Sequence, residues 1–196
     1  AEVAVDFTHL EAARVNLAWL ADAGIHAVVG TTGFDDDDLA RFRAGFRRSN
    51  CVIAPNFAIG AILMMRLAAD AAPYFETAEV IEYHHDNKVD APSGTAMLTA
   101  ERIAGASSDW ADDPTRTTVV DGARGGQAYP GVRVHSVRMR GMVAHQEVLL
   151  GTTGQTLTIR HDSYDRTSFM PGVVLAAKAI SGRPGVTVGL DGLLDL

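Results

Sequence analysis

The stretch Glu82-Tyr83-His84-His85-Asp86-Asn87-Lys88-Val89-Asp90-Ala91-Pro92-Ser93-Gly94-Thr95-Ala96 gathers more chemically active side chains than any other part of the chain. His84 and His85 are of the type that gives or takes a proton near neutral pH. Lys88 adds positive charge beside them. Ser93 is a good helix N-cap, and the backbone N–H groups of Gly94 and Thr95 then stand at the opening of a helix, where anions bind. Cations beside such an opening, in a chain that is acidic overall, suggest a small anionic ligand rather than a polyanion. Ser-Gly-Thr also reads as an ordinary cap. Neighbouring histidines at a strand end point to opposite faces, which leaves one of them for the surface.

The elements that must position this group follow from periodicity. Glu79 to His84 reads as a strand and Ser93 to about Ala104 as a helix, so the active stretch is the loop between them. Before it, strand and helix alternate three times. Val3 to Phe7 is a strand, with Thr8 expected as the N-cap of a helix carrying Leu10, Ala13, Leu17 and Leu20 and closed by Gly24. Ile25 to Val29 is the next strand, ending at Gly30-Thr31-Thr32-Gly33. Asp35 to Asp38 open a helix with Leu39, Phe42 and Phe46 on one face, and acids there suit the helix dipole. Val52 to Ala54 is a third strand, followed by Pro55-Asn56-Phe57 and an apolar helix from about Ile59 to Ala72. That rhythm argues for a parallel sheet with helices packed on it.

Beyond the active stretch the pattern becomes α+β. A Gly-, Asp- and Pro-rich loop spans 105–131. Val132–Arg140, His145–Gly151 and Gln155–His161 read as strands joined by turns and so as antiparallel neighbours. A last helix is expected from about Ser168 to Ile180, with Pro171 tolerated in its first turn.

Gly30-Thr31-Thr32-Gly33 and Ala54-Pro55-Asn56-Phe57 sit at the C-terminal ends of parallel strands, the edge where open α/β sheets bind ligands. Glycines after a strand are also plain turn chemistry, as in the Gly151-Thr152-Thr153-Gly154 hairpin. Cys51 reads as a small core residue. His9 and His26 read as surface positions. Arg124-Gly125-Gly126 reads as a loop that either contacts ligand or is merely flexible. His135, His145 and His161 lie on neighbouring strands but lack the spacing of a zinc motif, so no metal site is expected.

Composition narrows the classes. The 196 residues are 47% hydrophobic, with 17 basic against 24 acidic side chains, a net charge of −7 and one cysteine. Nucleic-acid binding is not expected without a basic surface. The longest near-apolar run, Ala58 to Leu67, is short of the ~20 residues of a membrane span. A single cysteine excludes a disulfide framework and points to a reducing cytoplasm.

The active stretch resembles, nearly residue for residue, the signature Glu-x-His-His-x-x-Lys-x-Asp-x-Pro-Ser-Gly-Thr-Ala of the dihydrodipicolinate reductase family, also called 4-hydroxy-tetrahydrodipicolinate reductases. The resemblance continues through Val5-Asp6-Phe7-Thr8, Gly30 to Phe34, Ala54 to Phe57, Ala144-His145-Gln146-Glu147, Arg160-His161-Asp162-Ser163 and Arg166-Thr167-Ser168-Phe169. It covers essentially the whole chain and is closest to actinobacterial-type members. It implies NADH- or NADPH-dependent reduction of a small cyclic dicarboxylate in lysine and diaminopimelate biosynthesis. By position, His84 would be the proton donor and Lys88 its partner, His85 would contact substrate, and Gly94 and Thr95 would hold a carboxylate. Gly30, Thr31, Thr32 and Ala54, Pro55, Asn56 and Phe57 would line the cofactor.

The implied architecture is α/β. Residues 1–57 with 168–196 form a Rossmann-like dinucleotide-binding part, and residues 58–167 form an α+β substrate and oligomerisation part with an open mixed sheet; family members are usually homotetramers. Family members begin with a strand and a Gly-x-x-Gly-x-x-Gly phosphate loop, and no such pattern precedes Ala1. Weak dinucleotide binding is therefore expected of the chain as given. Other readings are a non-catalytic dicarboxylate-binding protein, which rests on that same feature, and a His-based metallohydrolase, which would need bound metal.

Overall fold

The computed structural model describes residues 1–194. Apolar strand residues and amphipathic helices alternate through the first part: β1 (Val3–Asp6), α1 (Leu10–Ala23), β2 (His26–Val29), α2 (Asp36–Gly45), β3 (Cys51–Ile53) and α3 (Ile59–Ala71). The second part runs β4 (Thr77–His84), α4 (Gly94–Ala106), β5 (Gly126–Tyr129), β6 (Val132–Arg138), β7 (Ala144–Thr152) and β8 (Gln155–Ser163), and the chain returns through α5 (Met170–Ala179) and β9 (Val186–Val188). It divides into two compact units, Ala1–Ile59 with the segment from Thr167 onward, and Gly60–Arg166. The last two residues of the 168–196 segment lie outside the described residues.

The first unit is a four-stranded, all-parallel sheet in the order β1-β2-β3-β9. One side of it buries Ala27, Val29, Cys51 and Ile53 among Leu17, Leu20 and Ala21 of α1, Phe42 of α2 and Phe46. Each large apolar side chain of this kind contributes roughly 1.5–3 kcal/mol when fully removed from water. Val28 and Val52, on the opposite face, are also fully buried, and α5 packs against β2. Cys51 belongs to this core, and burial pushes its thiol up to about 12.

Several local expectations are corrected. The N-cap of α1 is His9, not Thr8, because the Asp6 carboxylate takes both the N–H and the Oγ of Thr8, at 3.0 and 2.8 Å. Gly24 closes α1 in the left-handed region (φ 69°), with its N–H bonded to Ala21. The acids opening α2 do more than suit its dipole. Asp38 is fully buried and completes a capping box with Asp35 while Arg14 and Arg41 neutralise it. His26 is half-buried and its Nδ1 accepts the Asn50 N–H at 2.9 Å. The last helix starts at Met170 after a 3-10 turn over Arg166–Phe169. Strand β9 and strand β5, the latter inside the long loop, add to the elements expected from periodicity. Arg124 in that loop pairs with Glu79 at 2.5 Å.

The second unit is a five-stranded mixed sheet in the order β5-β6-β4-β7-β8. Strands β6 and β7 are not neighbours. β4 lies between them, parallel to β6 and antiparallel to β7. Residues 139–143 therefore arch around the end of β4, turned by Gly141 at φ 86°, and the Met139 N–H donates to His84 O at 3.0 Å. Two strand spacings of ~4.8 Å are within easy reach of such a link. Helix α4 packs on β4, β5 and β6. Ala78, Val80 and Glu82 alternate onto the buried side, where β7 supplies Gln146, Val148 and Leu150.

Candidate active site

His84 ends β4, and the two-residue period of a strand puts it on the same face as Glu82. Glu82 is a carboxylate with no exposure, an expensive state unless every oxygen is bonded. Its Oε2 accepts from His84 Nδ1 and from Arg138 Nη1 (3.0 Å), and its Oε1 from Arg138 Nη2 (2.9 Å) and the Ser93 N–H (3.3 Å). Burial alone would raise its pKa, but the hydrogen bonds from His84, Arg138 and Ser136 outweigh burial and hold it at about 2. Arg138 also donates to Asp90 O at 2.6 Å. One buried carboxylate thus joins the end of β4, the far end of β6 and the loop that enters α4.

Ser93 caps α4, its Oγ accepting the Ala96 N–H at 3.2 Å. Gly94 opens the helix on the exposed side, and the place a side chain would occupy there is open space. The first turn is braced from within the unit: Gln146 Nε2 donates to Thr99 Oγ1 and Thr99 Oγ1 to Thr95 O, both at 2.7 Å. A helix opening held this firmly, with its approach clear, suits a carboxylate. Lys88 turns to Asp90, with Nζ 2.7 and 2.8 Å from its two oxygens. Its ammonium is thus fixed within the same loop rather than bonded to His84. His85 lies beyond the strand end and is exposed.

The remaining histidines stand apart. His135 pairs with Glu79 and His145 with Asp162, at 2.7 and 2.8 Å, while His161 lies against Gly60. Among the described residues no three of His, Cys, Asp and Glu are grouped to hold a metal ion.

The strand-end residues of the first unit form a second candidate surface. Asp6 is its brace, with Asn16, Thr8 and Thr31 all donating to its carboxylate. Burial opposes ionisation there, but these bonds prevail and lower its pKa. Thr31 is buried and its one Oγ1 proton is shared between Thr8 O at 2.9 Å and Asp6 Oδ1 at 3.2 Å, so its side chain is committed to holding the turn. Ala54 and Phe57 are buried, whereas Thr32 and Pro55 are exposed. Asn56 Oδ1 accepts the Ala58 N–H at 2.8 Å, holding the turn. The Phe7 ring packs on Gly30, where any Cβ would overlap it, and lies 5.4 Å from Phe57. An aromatic wall beside bare backbone at the C-terminal edge of a parallel sheet fits the flat ring of a nicotinamide.

Glu82, Arg138 and Asp90 carry roles that reading the motif residues alone did not assign. Glu82 had a signal, an acid in the buried register of Ala78 and Val80. Arg138 had none, because only strand pairing brings it to Glu82.

Comparison with known proteins follows the same division. Family models described as dihydrodipicolinate reductase, N-terminus and C-terminus, match residues 1–57 and 60–194. A 4-hydroxy-tetrahydrodipicolinate reductase of Mycolicibacterium vanbaalenii is 58% identical over 199 residues, covering 100% of this chain and 81% of that protein. One from Nocardia farcinica is 57% identical over 202 residues, with the same coverage. The solved structure of dipicolinate-bound dihydrodipicolinate reductase from Paenisporosarcina sp. TG-14 superposes with a TM-score of 0.88 at 41% identity, covering 97% of this chain and 73% of that one. With both halves matched and the buried-carboxylate site built on the residues of the signature, the chain belongs to the dihydrodipicolinate reductase family.

Proposed function

We propose that the chain reduces 4-hydroxy-tetrahydrodipicolinate to tetrahydrodipicolinate, with loss of water and oxidation of NADH or NADPH, in lysine and diaminopimelate biosynthesis. The observation that carries this is His84, bonded through Nδ1 to a buried carboxylate beside the Ser93-capped opening of α4. The opening of α4 at Gly94 and Thr95 holds one substrate carboxylate, with Lys88 and His85 supplying positive charge and hydrogen bonds to the rest of the dianion. His84 donates the proton that accompanies reduction. When bound, the nicotinamide supplies the hydride. Gly30, Thr31, Thr32, Ala54, Pro55, Asn56 and Phe57 would hold it, chiefly through backbone and the Phe7–Phe57 wall.

In this reading residues 1–57 with 168–196 carry the cofactor and residues 58–167 the substrate. The face of the mixed sheet opposite α4, bearing Ile81, Tyr83, Glu147 and Leu149, joins copies of the chain into a homotetramer. A lone, core-buried cysteine suits a cytoplasmic enzyme. No described helix is long and apolar enough to cross a membrane.

The test is nicotinamide oxidation followed at saturating substrate. His84→Gln is expected to lower kcat by ~10²–10⁴-fold, the usual worth of a general acid. Lys88→Ala is expected to weaken binding of pyridine-2,6-dicarboxylate, a planar dianion resembling the product. Near-normal turnover without His84 would remove it from the mechanism, and unchanged calorimetric affinity would reassign Lys88 to structure.

A further inference from the structure

Both oxygens of Glu82 accept hydrogen bonds, from His84 and Arg138 at Oε2 and from Arg138 and the Ser93 N–H at Oε1, with Ser136 a further donor. The donors from Arg138, Ser93 and Ser136 are structural. The remaining one is the ring of the proposed proton donor. We propose that Glu82 is the positioning residue of His84: it holds the ring by Nδ1–H, so that Nε2 is the nitrogen that delivers the proton, and it fixes that ring relative to the anion-binding turn through Ser93 and Arg138. The proposal rests on the reductase reading for the use of the proton, but not for the geometry.

The chemistry follows from what each group is able to donate. Glu82 is ionised at neutral pH, so it has no proton to give and the bond to His84 requires hydrogen on Nδ1. A protonated imidazole that releases its Nε2 proton becomes the Nδ1–H tautomer, which is the form already bonded to Glu82. Donation therefore needs no ring flip and leaves no buried acceptor unpaired. The opposite tautomer would place two unprotonated acceptors against each other, Nδ1 and Oε2, and leave an oxygen of a fully buried carboxylate without that donor. The second tie concerns distance. Arg138 bonds Glu82 with both terminal nitrogens and Asp90 O with one of them, so the loop carrying Lys88 and the helix opening at Gly94 are referenced to the same carboxylate as the acid. A catalytic group placed loosely by even ~1 Å forfeits much of its rate, on the order of 10²-fold.

The experiment is ¹⁵N–¹H NMR of the ring of His84 in the full chain, assigned by loss of its signals in His84→Gln, together with steady-state kinetics of Glu82→Gln and Glu82→Asp. In the wild type the neutral ring is expected to carry hydrogen on Nδ1. Glu82→Gln is expected to shift the ring toward the Nε2–H form and to lower kcat by roughly 10–10²-fold with little change in KM, as second-layer partners of functional histidines do. Glu82→Asp should restore part of both. A wild-type ring with hydrogen on Nε2 alone overturns the proposal without recourse to any variant, so misfolding of Glu82→Gln leaves it testable. An unchanged tautomer and kcat in a folded Glu82→Gln overturn it as well. A chain that shows the Nδ1–H ring but reduces no substrate sinks the reductase reading and leaves the positioning role of Glu82 standing.

Discussion

Arg138 faces His84 across the β4–β6 ladder, yet its guanidinium passes that partner and closes on Glu82, with Nη1 and Nη2 3.0 and 2.9 Å from the two carboxylate oxygens. The diagonal reach lets a parallel pair of strands end on three linked side chains instead of a row of isolated ones. It also makes Arg138 costly to lose. Its Nε is buried without a partner, so the residue carries a desolvation penalty that the Glu82 pairing offsets.

Arg138→Met should therefore destabilise the chain by about 3–5 kcal/mol, the usual result of stranding one half of a buried ion pair. Met keeps the aliphatic bulk, so the loss reports charge pairing and not a cavity. Urea denaturation of the full-length variant gives the number. A midpoint equal to that of the wild type would mean that His84, Ser93 and Ser136 suffice to hold the Glu82 charge.

Gly30 permits a second test, directed at the cofactor surface. A methyl group there would overlap the Phe7 ring, which is about half exposed and has room to swing outward. Gly30→Ala is thus expected to displace the ring more than to unfold the sheet. NADH and NADPH should bind more weakly, while pyridine-2,6-dicarboxylate binds as before, because the dianion is assigned to the other unit. Nicotinamide fluorescence and calorimetry measure the two affinities separately. Equal weakening of both would contradict the assignment of the two sets of residues to different ligands.

The contrast between these residues explains what the sequence makes legible. The parallel half announces itself because short apolar runs such as Val52–Ala54, one residue beyond the observed Cys51–Ile53, and helices stopped by Gly24 repeat at short range. The two-residue period of β4 likewise carries Glu82 and His84 on one face with Ala78 and Val80, a short-range signal. Long-range pairing leaves no such trace. The return of Val186–Val188 to β3 depends on a three-residue strand with no pattern of its own. The insertion of β4 between β6 and β7 overrides the rule that successive strands pair, because β4 has two edges to satisfy and the 139–143 link is long enough to bridge it. Arg138 becomes part of the site only through that insertion.

His161 makes the stability of the chain sensitive to mild acid. It projects from β8 beside Gln146 and lies against Gly60, where a Cβ would sit 2.5 Å from its Cδ2 and 3.0 Å from its Nε2. Burial pushes its pKa below the ordinary value; Asp162 pulls it partly back and His145 adds to the lowering. The unfolded chain thus takes up a proton at a pH where the folded chain does not. Stability is then fully present above the unfolded value, about 6.5, and declines as pH falls from there through the folded pKa. The buried carboxylates have lowered values and act in the same direction only at pH below about 4, so the two windows separate. Urea midpoints taken between pH about 7.5 and about 5 should fall in the wild type and fall less in His161→Gln. Parallel curves for the two proteins would show that another histidine governs that window.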